Sequence, residues 1–371
     1  MPMNTLLELR KHNQSIWLDY IRRDLVLGGE LKGLVEKDGL GGVTSNPTIF
    51  EKAIDGGRQY DEALRESFAR SPSPEPWVIY DEITIEDVRN AADVLRPVYE
   101  ASGGADGFVS IEPPPQLTAD TKGTIQEARR LYRTVGRPNL MIKVVATKDG
   151  VAAVEALIAE GLNINITLIF SLQHYEAVAA AYIRGLQRCK SPEKVASVAS
   201  FFVSRVDTQV DKALDAIGSP EALALRGKIA VANAKVMYQR FREIFQGNEF
   251  VSLKQKGGRV QRPLWASTGT KNPAYSDVLY VEELIGPDTV NTLPPDTLAA
   301  FRDHGRVRGD TVLENPAEAA SQLRALSVLG IDLKAITAKL QVDGVASFAS
   351  AYDRVLDAIG KKVQHRPRVS V

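Results

Sequence analysis

Short apolar runs alternate with amphipathic stretches along most of the chain, and this alternation constrains the fold more than any single motif. The runs occupy residues 15–20 (SIWLDY), 42–46 (GVTSN), 107–112 (GFVSIE), 140–146 (LMIKVVA), 163–168 (NINITL), 195–201 (VASVASF), 263–268 (PLWAST) and 289–292 (TVNT). Each is bounded by turn residues or charge, as buried strands are. Between them, residues 84–100, 121–133, 148–160, 171–184, 205–217 and 225–245 carry apolar side chains at helical spacing, the last being the longest. Strands alternating with amphipathic helices predict βαβ units around a parallel sheet. Eight strands match the count of a (β/α)8 TIM barrel, and the chain has room for additional helices and insertions. A doubly wound open sheet is the competing architecture. No Gly-x-Gly-x-x-Gly follows any of the runs, which weakens its dinucleotide-binding version.

Residues 1–360 read as one barrel domain. Residues 361–371 read as a polar, basic tail, and residues 71–76 (SPSPEP) as a proline-rich loop. With 46 Lys plus Arg against 46 Asp plus Glu, the formal net charge is zero. That balance argues against bulk binding to nucleic acid, which needs a basic excess on one face. The single cysteine, Cys189, excludes an intrachain disulfide and suits a reducing compartment. The opening MPMNTLLELRKH has no signal-peptide core, and no apolar run approaches the roughly 20 residues of a membrane span. The expectation is a cytoplasmic protein that binds no membrane.

Lys143 interrupts the apolar run NLMIKVVAT. An unpartnered ammonium taken out of water costs several kcal/mol, roughly. Releasing its proton lowers that cost, and the neutral amine is the form that attacks a ketone to make a Schiff base. A lysine on an edge strand that extends its amine to solvent is the blander alternative.

Barrel chemistry is done at the C-terminal ends of strands, and those positions here are polar. They are Asp19, the stretch Thr44-Ser45-Asn46, Glu112, Lys143 with Thr147, Asn165 with Thr167, Ser200 with Ser204 and Arg205, and Ser267 with Lys271 nearby. Taken singly, Asp19 fits a helix cap, Glu112 a loop carboxylate before three prolines, and Asn46-Pro47 a turn. Together they are chemically coherent. An amine nucleophile needs carboxylates to move protons, which Asp19 and Glu112 can do. Asn46 and Asn165 can hold sugar hydroxyls. Arg205 can grip a phosphate, and the stretch from Ser267 to Lys271 can add donors. The four histidines, His12, His174, His304 and His365, show no metal-ligand spacing.

The segments IWLDYIRRDL, GVTSNPTIFEKAI, VSIEPPPQLTADT, NLMIKVVAT, NINITLIFS and SFFVSRVD occur in that order. Together they resemble transaldolase, in particular its longer bacterial form, from near residue 4 to near residue 360. The resemblance implies a barrel of the class I aldolase type with the Schiff-base lysine on its fourth strand. It implies transfer of a dihydroxyacetone unit between sugar phosphates in the non-oxidative pentose phosphate pathway, with no cofactor and no metal. By motif, Lys143 is similar to the Schiff-base lysine. Asp19 resembles the group that deprotonates the C4 hydroxyl, Glu112 the acid/base acting through a water, and Thr167 the residue that helps hold that water. Asn46 and Asn165 resemble the amides that bind the dihydroxyacetone part. Ser200, Arg205 and Ser267 resemble the substrate and phosphate contacts. Short-form members carry a second phosphate arginine just after the serine matching Ser267. Here STGTKNP has none, so Lys271 is its expected substitute. Two rivals stand beside this reading: an aldolase releasing free dihydroxyacetone from fructose 6-phosphate, and a non-catalytic sugar-phosphate-binding barrel. The resemblance leaves the oligomeric state open.

Overall fold

A computed structural model describes residues 4–55, 57–70 and 75–364. Eight strands close into one parallel barrel in sequence order: β1 (Gln14–Leu18), β2 (Gly42–Val43), β3 (Phe108–Ile111), β4 (Leu140–Val145), β5 (Ile164–Ile169), β6 (Ser197–Phe202), β7 (Arg262–Ala266) and β8 (Thr289–Leu293). Each expected run holds one strand, and the open doubly wound sheet is excluded because β8 pairs with β1 along its whole length, from Gln14↔Thr289 to Leu18↔Leu293. The fourth, fifth and sixth strands are buried at every position. Their nearly continuous apolar runs follow from this: a barrel strand is covered by helices outside and by side chains inside.

The turns into two of the helices are short because only one residue separates the end of the strand from the capping residue. Thr147 accepts from Gly150 N at the start of helix Lys148–Ala159, and Ser171 accepts from His174 N at the start of Leu172–Arg188. Such caps are worth ~1 kcal/mol each. Thr147 is therefore used in building the turn, and its hydroxyl also donates to the Thr118 carbonyl at 2.7 Å. Gly136 and Gly218 end the helices Thr121–Val135 and Ser204–Ile217 in the left-handed conformation that glycine tolerates.

Arg262 on β7 reaches the Ser15 hydroxyl on β1 across the intervening β8, so both side chains point into the barrel. Strand alternation then turns Trp17 and Asp19 inward as well. Trp17 fills the lower interior, donating from Nε1 to Asp106 Oδ1 at 2.8 Å. Its indole would lie 2.4 Å from any Cβ at position 42, which is why β2 begins with glycine.

The longest helix among the described residues is Leu333–Gln364 rather than the expected 225–245, which forms Ile229–Gln246. Phe348, Tyr352, Val355 and Ile359 line one buried stripe of the long helix. It crosses the C-terminal mouth of the barrel. Gln341 Nε2 donates to the carbonyls of Ala146 at 3.0 Å and Leu168 at 3.1 Å, just past β4 and on β5. Arg354 pairs with Glu51. The expected tail from 361 onward is helical as far as Gln364, and its remaining residues lie outside those described. Of the expected loop 71–76, residues 71–74 also lie outside them, while Pro76 is the first residue of helix Pro76–Ala101.

Candidate active site

Lys143 is on β4 in register with Asn165 on β5, and Val145 is in register with Thr167. Lys143 is 5% exposed. Its Nζ donates to the Ser45 carbonyl at 2.9 Å and stands 3.7 Å from Glu112 Oε2. The Phe348 ring lies over it, 5.9 Å from Nζ to centroid. The amine does not escape to solvent along its own stem. It is held at the base of the barrel mouth, between a carboxylate and an aromatic face.

The register of β5 slips between Ile166 and Ile169, and Leu168 takes a left-handed conformation (φ 58°) while fully buried. A bulge of this kind re-aims the neighbouring side chain. That neighbour is Thr167, whose buried hydroxyl has no protein partner. Glu112 presents the same situation, since neither of its buried oxygens accepts a hydrogen bond from protein. The Glu112 carboxyl borders a chamber of about 20 Å³ lined by Pro113, Pro114, Pro115, Lys143 and Phe348, a volume that admits one water.

Asp19, just beyond β1, is not a helix cap, because the next helix is Arg23–Leu27 with Arg22 at its N-cap position. Its Oδ1 accepts from the Thr44 hydroxyl at 2.7 Å. Since that proton is committed, Thr292 must donate to Thr44 in the 2.7 Å contact behind it. Burial pushes the Asp19 carboxyl above the usual aspartate range. Lys143, the Thr44 hydrogen bond, Arg205 and Lys271 pull the other way without cancelling it. Burial likewise raises Glu112, against the opposing pull of Lys143. Both carboxyls are thus easier to protonate than in water, as proton-transfer groups need to be.

A cavity of about 530 Å³ opens above Lys143. Asp19, Thr44, Asn46, Lys143, Thr167, Ser200, Arg205, Ser267 and Lys271 line it, while Ser45, Thr147, Ser204, Glu112 and Asn165 do not. Glu112 borders the adjoining small chamber, on the other side of Lys143. Asn165 lies just below, fully buried, donating to Ser110 Oγ at 3.1 Å and accepting from Ser200 Oγ at 2.6 Å. Asn46 combines its two readings: Oδ1 accepts from Ile49 N at 3.1 Å and so caps helix Pro47–Asp55, while the residue still borders the cavity. Ser267 takes a left-handed conformation (φ 57°) and its hydroxyl meets that of Ser204 at 3.0 Å. Arg205 lies over the Phe202 ring at 5.1 Å and, with Lys271, faces the cavity. Burial and the nearby Arg205 and Lys52 charges lower the Lys271 pKa.

Sequence reasoning missed Phe348, Thr292 and Lys52. Lys52 and Phe348 lie on helices, away from the strand ends where barrel chemistry is expected. Thr292 is the penultimate residue of β8, in a run in which no residue stands out. Among the described residues no group of three or more His, Cys, Asp or Glu is placed to hold a metal ion, and no helix is long and apolar enough to cross a membrane.

Residues 16–359 match the family model described as transaldolase/fructose-6-phosphate aldolase. A protein named Transaldolase 2 from Nostoc sp. is 45% identical over 379 aligned positions, covering 98% of this chain and 99% of that protein. A protein named Transaldolase from Mycobacterium tuberculosis is 48% identical over 347 positions, covering 92% of each chain. One of the same name from Mycobacterium ulcerans is 47% identical over 349 positions, covering 93% of each.

Proposed function

The chain belongs to the transaldolase/fructose-6-phosphate aldolase family, and on that premise we propose that it is a transaldolase working through a Schiff base on Lys143. The donors are sedoheptulose 7-phosphate and fructose 6-phosphate, and the acceptors glyceraldehyde 3-phosphate and erythrose 4-phosphate. Residues 1–360, with the rest of the long helix, act as one catalytic unit in the cytoplasm, without cofactor, metal, nucleic acid or membrane. The observation that carries this reading is a buried amine at the base of a cavity, flanked by two carboxyls whose affinity for protons burial has raised.

The Lys143 amine adds to the C2 ketone to give a carbinolamine. A proton delivered from Glu112 through a water held with Thr167 lets the carbinolamine hydroxyl leave as water, forming the iminium. Asp19 takes the C4 hydroxyl proton. The C3–C4 bond then breaks, its electrons neutralising the iminium to an enamine, and the aldose phosphate departs. The enamine adds to the incoming aldehyde, Asp19 returns the proton, and water releases the new ketose. Asn46 and Ser200, with Asn165 behind it, hold the dihydroxyacetone hydroxyls. Arg205, Ser267 and Lys271 hold the phosphate, a guanidinium fork and an ammonium acting on one anion.

Borohydride with fructose 6-phosphate should fix a three-carbon adduct on Lys143, read by peptide mass, and Lys143→Ala should abolish both adduct and turnover. An adduct on another lysine would remove Lys143 from the reaction. The family description also names fructose-6-phosphate aldolase. Free dihydroxyacetone released stoichiometrically without acceptor would favour that activity instead.

A further inference from the structure

The helix Pro47–Asp55 begins at the turn whose Ser45 carbonyl holds Lys143 and brings Lys52 to the same cavity as Arg205 and Lys271. We propose that Lys52 is a specificity-determining residue, the third cation of the cavity's anion-binding end, which selects phosphorylated over unphosphorylated sugars. This rests on the proposed function, in which the cavity takes a sugar phosphate.

Arg205, Lys271 and Lys52 come from three segments, after β6, after β7 and after β2. None of the three makes an ion pair or hydrogen bond to protein among the described residues. Unpartnered lysines are common on the surface of this molecule, and what sets these three cations apart is that they line one cavity together. The acids on the cavity wall are Asp19, committed to Thr44, and Asp296, exposed at the rim and paired with none of the three. Like charges gathered round one opening repel, and the Lys52 charge is felt at Lys271, where it helps to disfavour a second ammonium. An anion bridging them relieves that repulsion. A phosphomonoester, with its charge of roughly −1.5 to −2 near neutral pH, has the sign and size required. Lys52 is exposed, so it acts on capture rather than on the bond-breaking step.

The test uses the full chain carrying Lys52→Gln or Lys52→Arg, with saturating fructose 6-phosphate and either erythrose 4-phosphate or D-erythrose as acceptor. For Lys52→Gln the ratio of the erythrose 4-phosphate KM to the D-erythrose KM should rise about two- to fivefold, the effect of one solvent-exposed charge pair. Its kcat/KM for the phosphorylated acceptor should also fall less steeply with salt. Lys52→Arg should restore both. An unchanged ratio together with an unchanged salt slope overturns the assignment. The borohydride adduct on wild-type Lys143 is measured in parallel. Its presence beside a silent Lys52→Gln removes Lys52 alone, whereas its absence overturns the Schiff-base reading and this inference with it.

Discussion

Asp19 and Glu112 approach Lys143 by different routes, and in the proposed mechanism their raised proton affinities would set the pH behaviour of the reaction. Asp19 must be ionised to take a hydroxyl proton. Burial lifts its pKa above the ordinary aspartate value of 3.8, so the acid limb of kcat should lie at higher pH than a solvated aspartate would give. A limb at or below that value would contradict the base role. Glu112→Gln should lower kcat by about 10²–10⁴-fold, the typical contribution of a positioned acid/base, and an unchanged pre-steady-state rate of iminium formation would count against it. Lys143 stood out in the sequence because an unpartnered ammonium within an apolar strand is costly to bury, although an edge strand would have let the amine reach solvent. Asp19 and Glu112 were legible because strand ends are where a barrel displays polar groups. Thr292 was not, because a threonine on a strand is ordinary until the proton order of the Thr292–Thr44–Asp19 chain is known.

The helix Leu333–Gln364 places the Phe348 ring over the Lys143 amine. Phe348, 4% exposed, borders both the large cavity and the small chamber beside Glu112. Removing the ring should let water intercept the iminium formed when the enamine is protonated, so that dihydroxyacetone is released rather than passed on. Phe348→Ala should raise release relative to transfer several-fold. Phe348→Leu, which keeps most of the packing, should do so less. The transfer-to-release ratio is the readout, because it does not depend on the fraction of folded protein, and the cavity left by the alanine variant is expected to cost roughly 3–5 kcal/mol of stability. An unaltered ratio in both variants would leave Phe348 a packing residue. The stripe Phe348, Tyr352, Val355 and Ile359 has helical spacing visible in the sequence. Spacing shows that a face is buried but not what it lies against. Here that depends on Gln341 finding two strand-end carbonyls, and on Gly344 passing Leu168, whose side chain would lie 2.9 Å from a Cβ there.

At the scale of the molecule, all eight strands were readable because short runs bounded by turn residues or charge alternate with amphipathic helical stretches, although those of β2, β5 and β8 are interrupted by polar residues. Buried acids outside the site were not readable, since an aspartate on a helix normally faces solvent. Asp207 is 1% exposed, accepts from Ala230 N at 2.7 Å and from the Tyr280 hydroxyl at 2.9 Å, and burial lifts its pKa to about 6. The folded chain therefore holds this proton more tightly than the unfolded chain. The corresponding stability is fully present below the unfolded-chain value of 3.8 and is lost as pH rises through about 6. Asp207→Asn should flatten the pH dependence of the unfolding free energy between about pH 3.8 and 6, by at most about 3 kcal/mol. Urea titrations of the two proteins that run parallel across that window would refute it. The pairing of β1 with β8 has a consequence of another kind. During synthesis the barrel cannot shut until residue 293 has left the ribosome, and the aromatic over Lys143 arrives later still. At about 5–20 residues per second, a nascent chain spends roughly 10–40 s with its Lys143 amine already made but not yet covered by Phe348. On the proposed function, an unfinished copy would be held back from handling sugars by the order in which its parts emerge.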